Sequence, residues 1–331
     1  MAVYYPKRIM LAHTPTPIMK LKKLSAELGA ELYVKRDDIT GLELSGNKVR
    51  KLEFLIAEAV DVGADTVVTC GGVQSNHCRA TAAACARLGL KCHLILRTET
   101  PAPPYDGNLL MDYLFNADFT YMPRPEYKKN EEIGFESVLE GIRAKGGKPF
   151  YIPVGGSVAM GCWGYTRGLE EALMQLSERG IRRAHFVSAL GSGGTHAGLV
   201  MGRYLLERPD VSITGFNVCD DPEYFYQKTD RLIEEFSEKF KVEIHASRDS
   251  HSIIDGYVGP GYALPYPELI ETIKMAARVE ALILDPVYTG KAFHGMITEL
   301  QKGRFPKEDP IVFIHTGGAF GLFPQKAEFV F

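Results

Sequence analysis

The sequence predicts an α/β protein built on open, twisted, mostly parallel sheets in two domains. Three observations carry that reading. Short apolar runs alternate with Ala/Leu/Glu-rich stretches of helical length from end to end. Those runs are hydrophobic throughout and do not alternate, as expected for strands covered on both faces. Glycine is enriched, 33 of 331 residues against a usual ~7%, and it clusters just after candidate strands. The length, at about 150 residues per domain, adds the two-domain expectation.

In chain order, Leu32–Lys35 reads as a strand. Asn47–Val62 reads as a helix, because Val49, Leu52, Ile56, Ala59 and Val60 share one 3.6-period face. Gly63 ends it, since glycine accepts a positive φ. Thr66–Cys70 is a strand, Ser75–Leu88 an Ala-rich helix stopped by Gly89, and Lys91–Leu96 the next strand. Asn108–Leu114 is helical, Phe119–Met122 extended, and Ile133–Lys145 helical up to Gly146-Gly147. Pro149–Val154 and Ala184–Leu190 are strands around the helix Gly161–Arg179. The helices Thr195–Leu206 and Pro222–Phe240 flank the strand Ser212–Val218. Glu268–Val279, the segment Leu282–Val287, the helix Lys291–Gln301 and the strand Ile311–His315 complete the pattern.

Charge and composition exclude several classes. The net charge of −3 argues against a nucleic-acid surface. No apolar run approaches the ~18–20 residues of a membrane span. Met1–His13 holds Pro6, Lys7 and Arg8 but no apolar signal core, so no secretory signal is expected. The cysteines Cys70, Cys78, Cys85, Cys92, Cys162 and Cys219 form no Cys-x-x-Cys pair. They read as small buried hydrophobes in a reducing cytoplasm. The nine histidines show no zinc spacing, so no metal site is expected.

Four glycine clusters follow candidate strands: Gly71-Gly72, Gly155-Gly156, Gly191-Ser192-Gly193-Gly194-Thr195 and Gly317-Gly318. Ligands of open α/β sheets bind at the carboxyl ends of strands, where such loops lie. One such turn is equally well explained by tight strand–helix packing; four at one sheet edge point to a ligand. Gly191–Thr195 is the strongest phosphate candidate, with consecutive N–H donors, two hydroxyls and a helix start. It is not the dinucleotide fingerprint, because His196 stands where the third Gly belongs and Asp220 comes too late. Gly290-Lys291 lacks the opening Gly and the Ser/Thr of an ATP-binding loop.

Lys48 opens a helix after a glycine-bearing loop, where a cation opposes the helix dipole. An exposed lysine is the plain explanation. The chemical one is that Lys48 gives up its charge as a Schiff base with an aldehyde. A phosphate cradle with such a lysine suggests pyridoxal 5'-phosphate.

Nearly the whole chain, from Thr14-Pro-Thr-Pro17 to His315-Thr-Gly-Gly318, resembles the fold-type II pyridoxal-phosphate (PLP) enzymes. The group it resembles is the D-cysteine desulfhydrase / 1-aminocyclopropane-1-carboxylate (ACC) deaminase family. Lys35-Arg-Asp-Asp38, Ser45-Gly-Asn-Lys-Val-Arg-Lys-Leu-Glu53, Gly72-Val-Gln-Ser-Asn-His77, Gly191-Ser-Gly-Gly-Thr195 and Asp285-Pro-Val-Tyr-Thr-Gly-Lys291 carry the likeness. Cys219-Asp-Asp-Pro-Glu-Tyr-Phe225 and Gly161-Cys-Trp-Gly-Tyr165 look most like the plant-type branch.

The resemblance implies a tryptophan synthase β-like homodimer. Residues 1–50 plus 160–331 would form a larger PLP-binding domain, with 51–159 a smaller inserted one. It implies that Lys48 bonds the cofactor and moves protons, and that Asn76 meets its phenolic oxygen. Gly191, Ser192, Gly193, Gly194 and Thr195 would bind the phosphate, helped by Lys51. Ser75, Asn76 and His77 would face the substrate carboxylate, with Ser75, Tyr262 and Tyr288 near the chemistry. ACC deaminases carry Glu and Leu where this chain has Thr289 and Thr316. A neutral hydroxyl near the pyridine nitrogen suits β-elimination from a small amino acid, D-cysteine foremost. ACC deamination and L-cysteate desulfonation stay open on the same scaffold. A nicotinamide dehydrogenase, which leaves Lys48 unexplained, and a non-catalytic PLP-binding protein are the rivals of other classes.

Overall fold

A computed structural model describes residues 3–306 and 308–331. Met1 and Ala2, the start of the first expected domain span and of the N-terminal segment read above, lie outside the described residues, as does Lys307.

The elements in chain order are β1 (Ile18–Lys20), α1 (Lys22–Leu28), β2 (Leu32–Lys35), α2 (Asn47–Asp61), β3 (Thr66–Gly72), α3 (Asn76–Leu88) and β4 (Lys91–Arg97). There follow α4 (Gly107–Leu114), β5 (Asp118–Met122), α5 (Arg124–Glu132), α6 (Glu136–Ala144), β6 (Pro149–Ile152), α7 (Ala159–Ser177) and β7 (Ala184–Leu190). The rest are α8 (Gly194–Leu205), β8 (Val211–Asn217), α9 (Pro222–Phe240), β9 (Ser252–Ile254), α10 (Pro267–Glu280), α11 (Thr289–Gln301), β10 (Ile311–Ile314) and α12 (Ala319–Leu322).

They form two sheets. The six-stranded sheet has the order β1-β2-β10-β7-β8-β9, the four-stranded sheet β5-β4-β3-β6. Among the described residues only the β1–β2 pair is antiparallel. Both faces are covered, as the uniform apolar strands require. In the larger sheet Phe186 and Val312 pack under α7, α8 and α9, while their neighbours Val187 and Phe313 pack under α1, α10 and α11. In the smaller sheet Val67 and Leu94 meet α2 and α3, while Val68 and Ile95 meet Tyr127 of α5 and Leu139 of α6.

Several expectations shift. The helix expected over Ile133–Lys145 begins only at Glu136, because Gly134 and Phe135 adopt positive φ (65° and 54°), and it is preceded by α5, which the sequence reading did not include. The apolar segment Leu282–Val287 forms neither strand nor helix. Its Leu282 and Leu284 fill the core, and Asp285 organises the turn into α11. Five cysteines are buried as expected, but Cys219 is half-buried and lines the central cavity.

Helix α2 joins the two sheets. Its Val49, Leu52, Leu55, Ile56 and Ala59 pack on the smaller sheet, and Phe54 enters the core of the larger one. Arg50 is buried, and its Nε and Nη2 donate to the two oxygens of Asp37 at 2.8 Å each. It also donates to Glu171 of α7 at 2.9 and 3.1 Å. Glu171 accepts from Lys35 of β2 at 2.5 Å, and Tyr165 donates to Asp37 at 2.6 Å. Burial alone would raise the Asp37 carboxyl, but the Arg50 guanidinium and Lys35 outweigh it and hold it down at about 2. Gly164 permits this contact: a Cβ there would lie 2.6 Å from the Arg50 carbonyl. The Gly161–Tyr165 motif is therefore a docking surface for α2.

Arg50→Met should destabilise the fold by about 3–5 kcal/mol in urea titration, because it leaves buried carboxylates unpaired. The Asp37 contribution is present above its ordinary pKa of ~3.9. It is lost as pH falls toward about 2, and Arg50→Met should remove that acid limb.

Candidate active site

The loops after β3, β6, β7 and β10 converge on a cavity of about 460 Å³. Lys48, the second residue of α2, lines it. Gly46 makes this entry possible, at φ 101° and with a Cβ position only 2.7 Å from the Thr316 carbonyl. The Lys48 Nζ donates to Asn47 Oδ1 at 3.2 Å and has no ion pair among the described residues. Burial pushes its ammonium down to about 8, with Arg79 adding to the shift and Asp285 opposing it. That direction enlarges the neutral, nucleophilic fraction over that of a solvated lysine.

On one side lies an anion cradle. β7 runs through Gly191-Ser192-Gly193 into α8, whose first-turn N–H groups lack intrahelical acceptors. Ser157 Oγ accepts from Gly194 N at 3.1 Å and donates to Ser192 Oγ at 2.9 Å. The buried Lys51 Nζ donates to Gly155 O at 3.1 Å and Ser157 Oγ at 3.4 Å. It has no carboxylate partner among the described residues, and burial together with Lys48 lowers its pKa well below the lysine range. A Cβ on Gly194 would sit 2.7 Å from Ser157 Oγ and 2.8 Å from Lys51 Nζ. A buried amine with no carboxylate to hold its proton, set beside a helix N-terminus, fits a phosphate dianion, whose charge would favour the ammonium. Asn47 Nδ2 donates to Thr195 Oγ1 at 2.9 Å, tying the lysine loop to the cradle.

Opposite lies the start of α3. Ser75 caps it, its Oγ accepting from Cys78 N at 3.2 Å. Asn76 lines the cavity, and its Oδ1 accepts from Asn108 Nδ2 at 3.1 Å. His77 is committed inward: Thr69 Oγ1 donates to Ile152 O at 2.7 Å and so accepts from His77 Nε2 at 2.8 Å. Burial and the two lysines hold this imidazole neutral. What the first turn offers an anion is chiefly backbone N–H.

The Tyr262 and Tyr288 hydroxyls are hydrogen-bonded to each other across the third wall. Burial raises both phenols, Tyr288 the more. Lys291 Nζ donates to Val258 O at 2.7 Å and Gly261 O at 2.8 Å, clamping the Tyr262 turn to the helix that follows Tyr288. Thr316 lines the cavity. Thr289 does not: it is fully buried, and its hydroxyl donates to Asp285 Oδ1 at 2.6 Å. Of the residues expected from sequence, the site brings together Lys48, Lys51, Ser75, Asn76, His77, the Gly191–Thr195 loop, Tyr262, Tyr288 and Thr316. It adds Asn47, Ser157 and Lys291. Ser157 directly follows one of the four glycine clusters, which was the available signal for it. Among the described residues no group of His, Cys, Asp or Glu is arranged to hold a metal ion.

The family model described as pyridoxal-phosphate dependent enzyme matches residues 9–317. The chain belongs to that family. Its cofactor is pyridoxal phosphate, and the cradle and the buried amine fit it. The chain is 44% identical over 328 residues to the "Bifunctional D-cysteine desulfhydrase/1-aminocyclopropane-1-carboxylate deaminase, mitochondrial" of Arabidopsis thaliana, covering 95% of this chain and 79% of that one. It is 41% identical to the D-cysteine desulfhydrase of Salmonella typhi, covering 96% and 95%. A solved ACC deaminase homologue superposes with a TM-score of 0.87 at 37% identity, covering 98% of this chain and 95% of that one.

Borohydride trapping of pyridoxal phosphate on the apoprotein should label Lys48, and Lys48→Ala should abolish the label. Only the neutral amine attacks, so trapping should rise with pH through about 8; a midpoint near ~10.4 would contradict a desolvated lysine. Lys51→Met should weaken binding of pyridoxal phosphate about tenfold or more while leaving pyridoxal, which lacks the phosphate, unaffected.

Proposed function

We propose that the chain is a D-cysteine desulfhydrase, a lyase that converts D-cysteine and water to pyruvate, hydrogen sulfide and ammonia. The observation that carries this reading is that the Lys48 amine and the mutually hydrogen-bonded Tyr262 and Tyr288 hydroxyls line one cavity. Burial holds the Lys48 amine down at about 8 and holds the phenols of Tyr262 and Tyr288 up. β-Elimination needs a base at the α-carbon and an acid at the departing sulfur. Lys48 supports the first role; the hydrogen-bonded tyrosines, kept as phenols, support the second.

Bound pyridoxal phosphate supplies the electron sink for charge developing at the α-carbon. Lys51, Ser157 and the Gly191–Thr195 loop hold its phosphate. Asn76 turns its amide toward the phenolic oxygen. The first turn of α3, from Ser75 through His77, holds the substrate carboxylate. Thr316 offers a neutral hydroxyl where ACC deaminases carry Leu. The Glu-to-Thr difference at Thr289 acts only indirectly, because Asp285 takes that hydroxyl.

A second reading, release of sulfite from L-cysteate, is favoured by one feature. Arg97 and Arg124 line the cavity without ion pairs among the described residues, and a sulfonate would use such cations. We also infer two domains, 1–50 with 160–331 and 51–159, supported by the β3–β6 sheet lying wholly within the second span. A homodimer in the cytoplasm completes the proposal.

Purified enzyme should release sulfide from D-cysteine faster than from L-cysteine, sulfite from L-cysteate, or α-ketobutyrate from ACC. Sulfite release dominating that panel would replace the main reading with the second. Tyr288→Phe should lower the D-cysteine rate by about 10²–10⁴ with the cofactor still bound.

A further inference from the structure

The amide of Asn76 can face the cavity in two ways, as a donor or as an acceptor, and only a donor suits a phenolate oxygen. The choice is made behind the site. Asn108 of α4 is fully buried. Its Oδ1 accepts from Arg79 Nε at 2.9 Å, and its Nδ2 donates to Gln74 O at 3.0 Å and to Asn76 Oδ1 at 3.1 Å. A guanidinium has donors and no acceptor. Arg79 therefore compels Asn108 to present its oxygen on that side. The Asn108 NH₂ is then forced toward Asn76, which must answer with its oxygen. The Asn76 NH₂ is left for the cavity.

Arg79 is itself locked. It is fully buried, donates through Nη2 to Ser45 O at 2.8 Å, and donates through Nη1 to Glu43 O. It also stacks over the Phe320 ring, 5.1 Å from guanidinium carbon to centroid. Those two carbonyls belong to the loop that delivers Lys48. One cation thus sets the position of the lysine loop and the hydrogen-bond sense of Asn76.

We propose that Arg79 and Asn108 are positioning residues that orient Asn76 as a hydrogen-bond donor toward the cofactor's phenolic oxygen. This rests on the reading that Asn76 meets that oxygen, and the two can fail separately. The decisive substitution is Asn108→Asp, which keeps the shape and offers oxygen on both sides. The new carboxylate still accepts from Arg79, but it now asks Asn76 for its NH₂, turning the Asn76 oxygen into the cavity.

The readouts are the ratio of visible to near-ultraviolet absorption of the cofactor-loaded enzyme and the apparent Kd for pyridoxal phosphate. Asn108→Asp should shift the band ratio in the direction of Asn76→Ala and weaken cofactor binding about tenfold or more. Asn108→Ala, which only frees Asn76, should move both the same way by less, and it serves if the Asp variant fails to fold. In an Asn76→Ala background, neither Asn108 change should shift the spectrum further. A wild-type spectrum and Kd in both Asn108 variants, with Asn76→Ala shifted, would overturn the proposal. So would an equal shift from Asn108→Asp when Asn76 is absent. An unshifted Asn76→Ala would instead remove the underlying reading of Asn76.

Discussion

Arg50 shares helix α2 with Lys48 and Lys51, and its guanidinium is closed off from water between Asp37 and Glu171. Few interactions tolerate so little displacement. A bidentate guanidinium–carboxylate pair fixes angle as well as distance, and here one partner sits after β2 and the other on α7. The larger sheet is thereby registered against the turn of helix that carries the reactive amine, while the apolar face of the same helix packs on the smaller sheet. The pair's worth lies less in net stability than in registration, since the desolvation of its charges offsets much of their attraction. The close approach at Gly164 and the Tyr165 hydroxyl serve the same joint.

The cavity is lined by groups whose protonation is decided by the same physical cause acting with opposite sign. Removing water disfavours the charged form of any side chain. For lysine that means a proton more easily lost, for tyrosine a retained proton, for histidine a neutral ring. Lys48, Tyr288 and His77 thus acquire their working states from burial first and from neighbours second. The positive potential that remains comes from the helix starts of α3 and α8 and from the arginines, in keeping with a site for anionic ligands.

Much of this was legible in the residues. The buried strands announced themselves because parallel strands covered on both faces need no polar alternation. Helix ends were marked where glycine was required, as at Gly63 and Gly89. The glycine clusters located the cradle, because the turn into α8 packs so closely on Ser157 and Lys51 that no Cβ fits at Gly194. The three-residue strands β1 and β9 escaped notice, since so short a run has no period. Helix α5 escaped notice because its polar stretch Arg124–Glu132 buries only Tyr127, and the later start of α6 turned on Phe135, a residue type that does not advertise positive φ. Within the site, residues that touch a ligand were readable from motif and chemistry. Those acting through another residue, Arg79, Asn108 and Lys291, were not, because their meaning lies in contacts between distant segments. Thr289 shows the converse: a motif position whose hydroxyl is spent on its own turn.

The pairing of β2 with β10 carries a further consequence. Leu32 and Ile311 are register partners, and the backbone N–H of Asn47, next to Lys48, donates to the Thr316 carbonyl. The lysine loop is thus completed by a segment far downstream of it in the sequence. A nascent chain cannot assemble this carbonyl-trapping amine early, when free aldehydes could react with a half-built pocket. Reactivity waits until the strand that closes the larger sheet has been made.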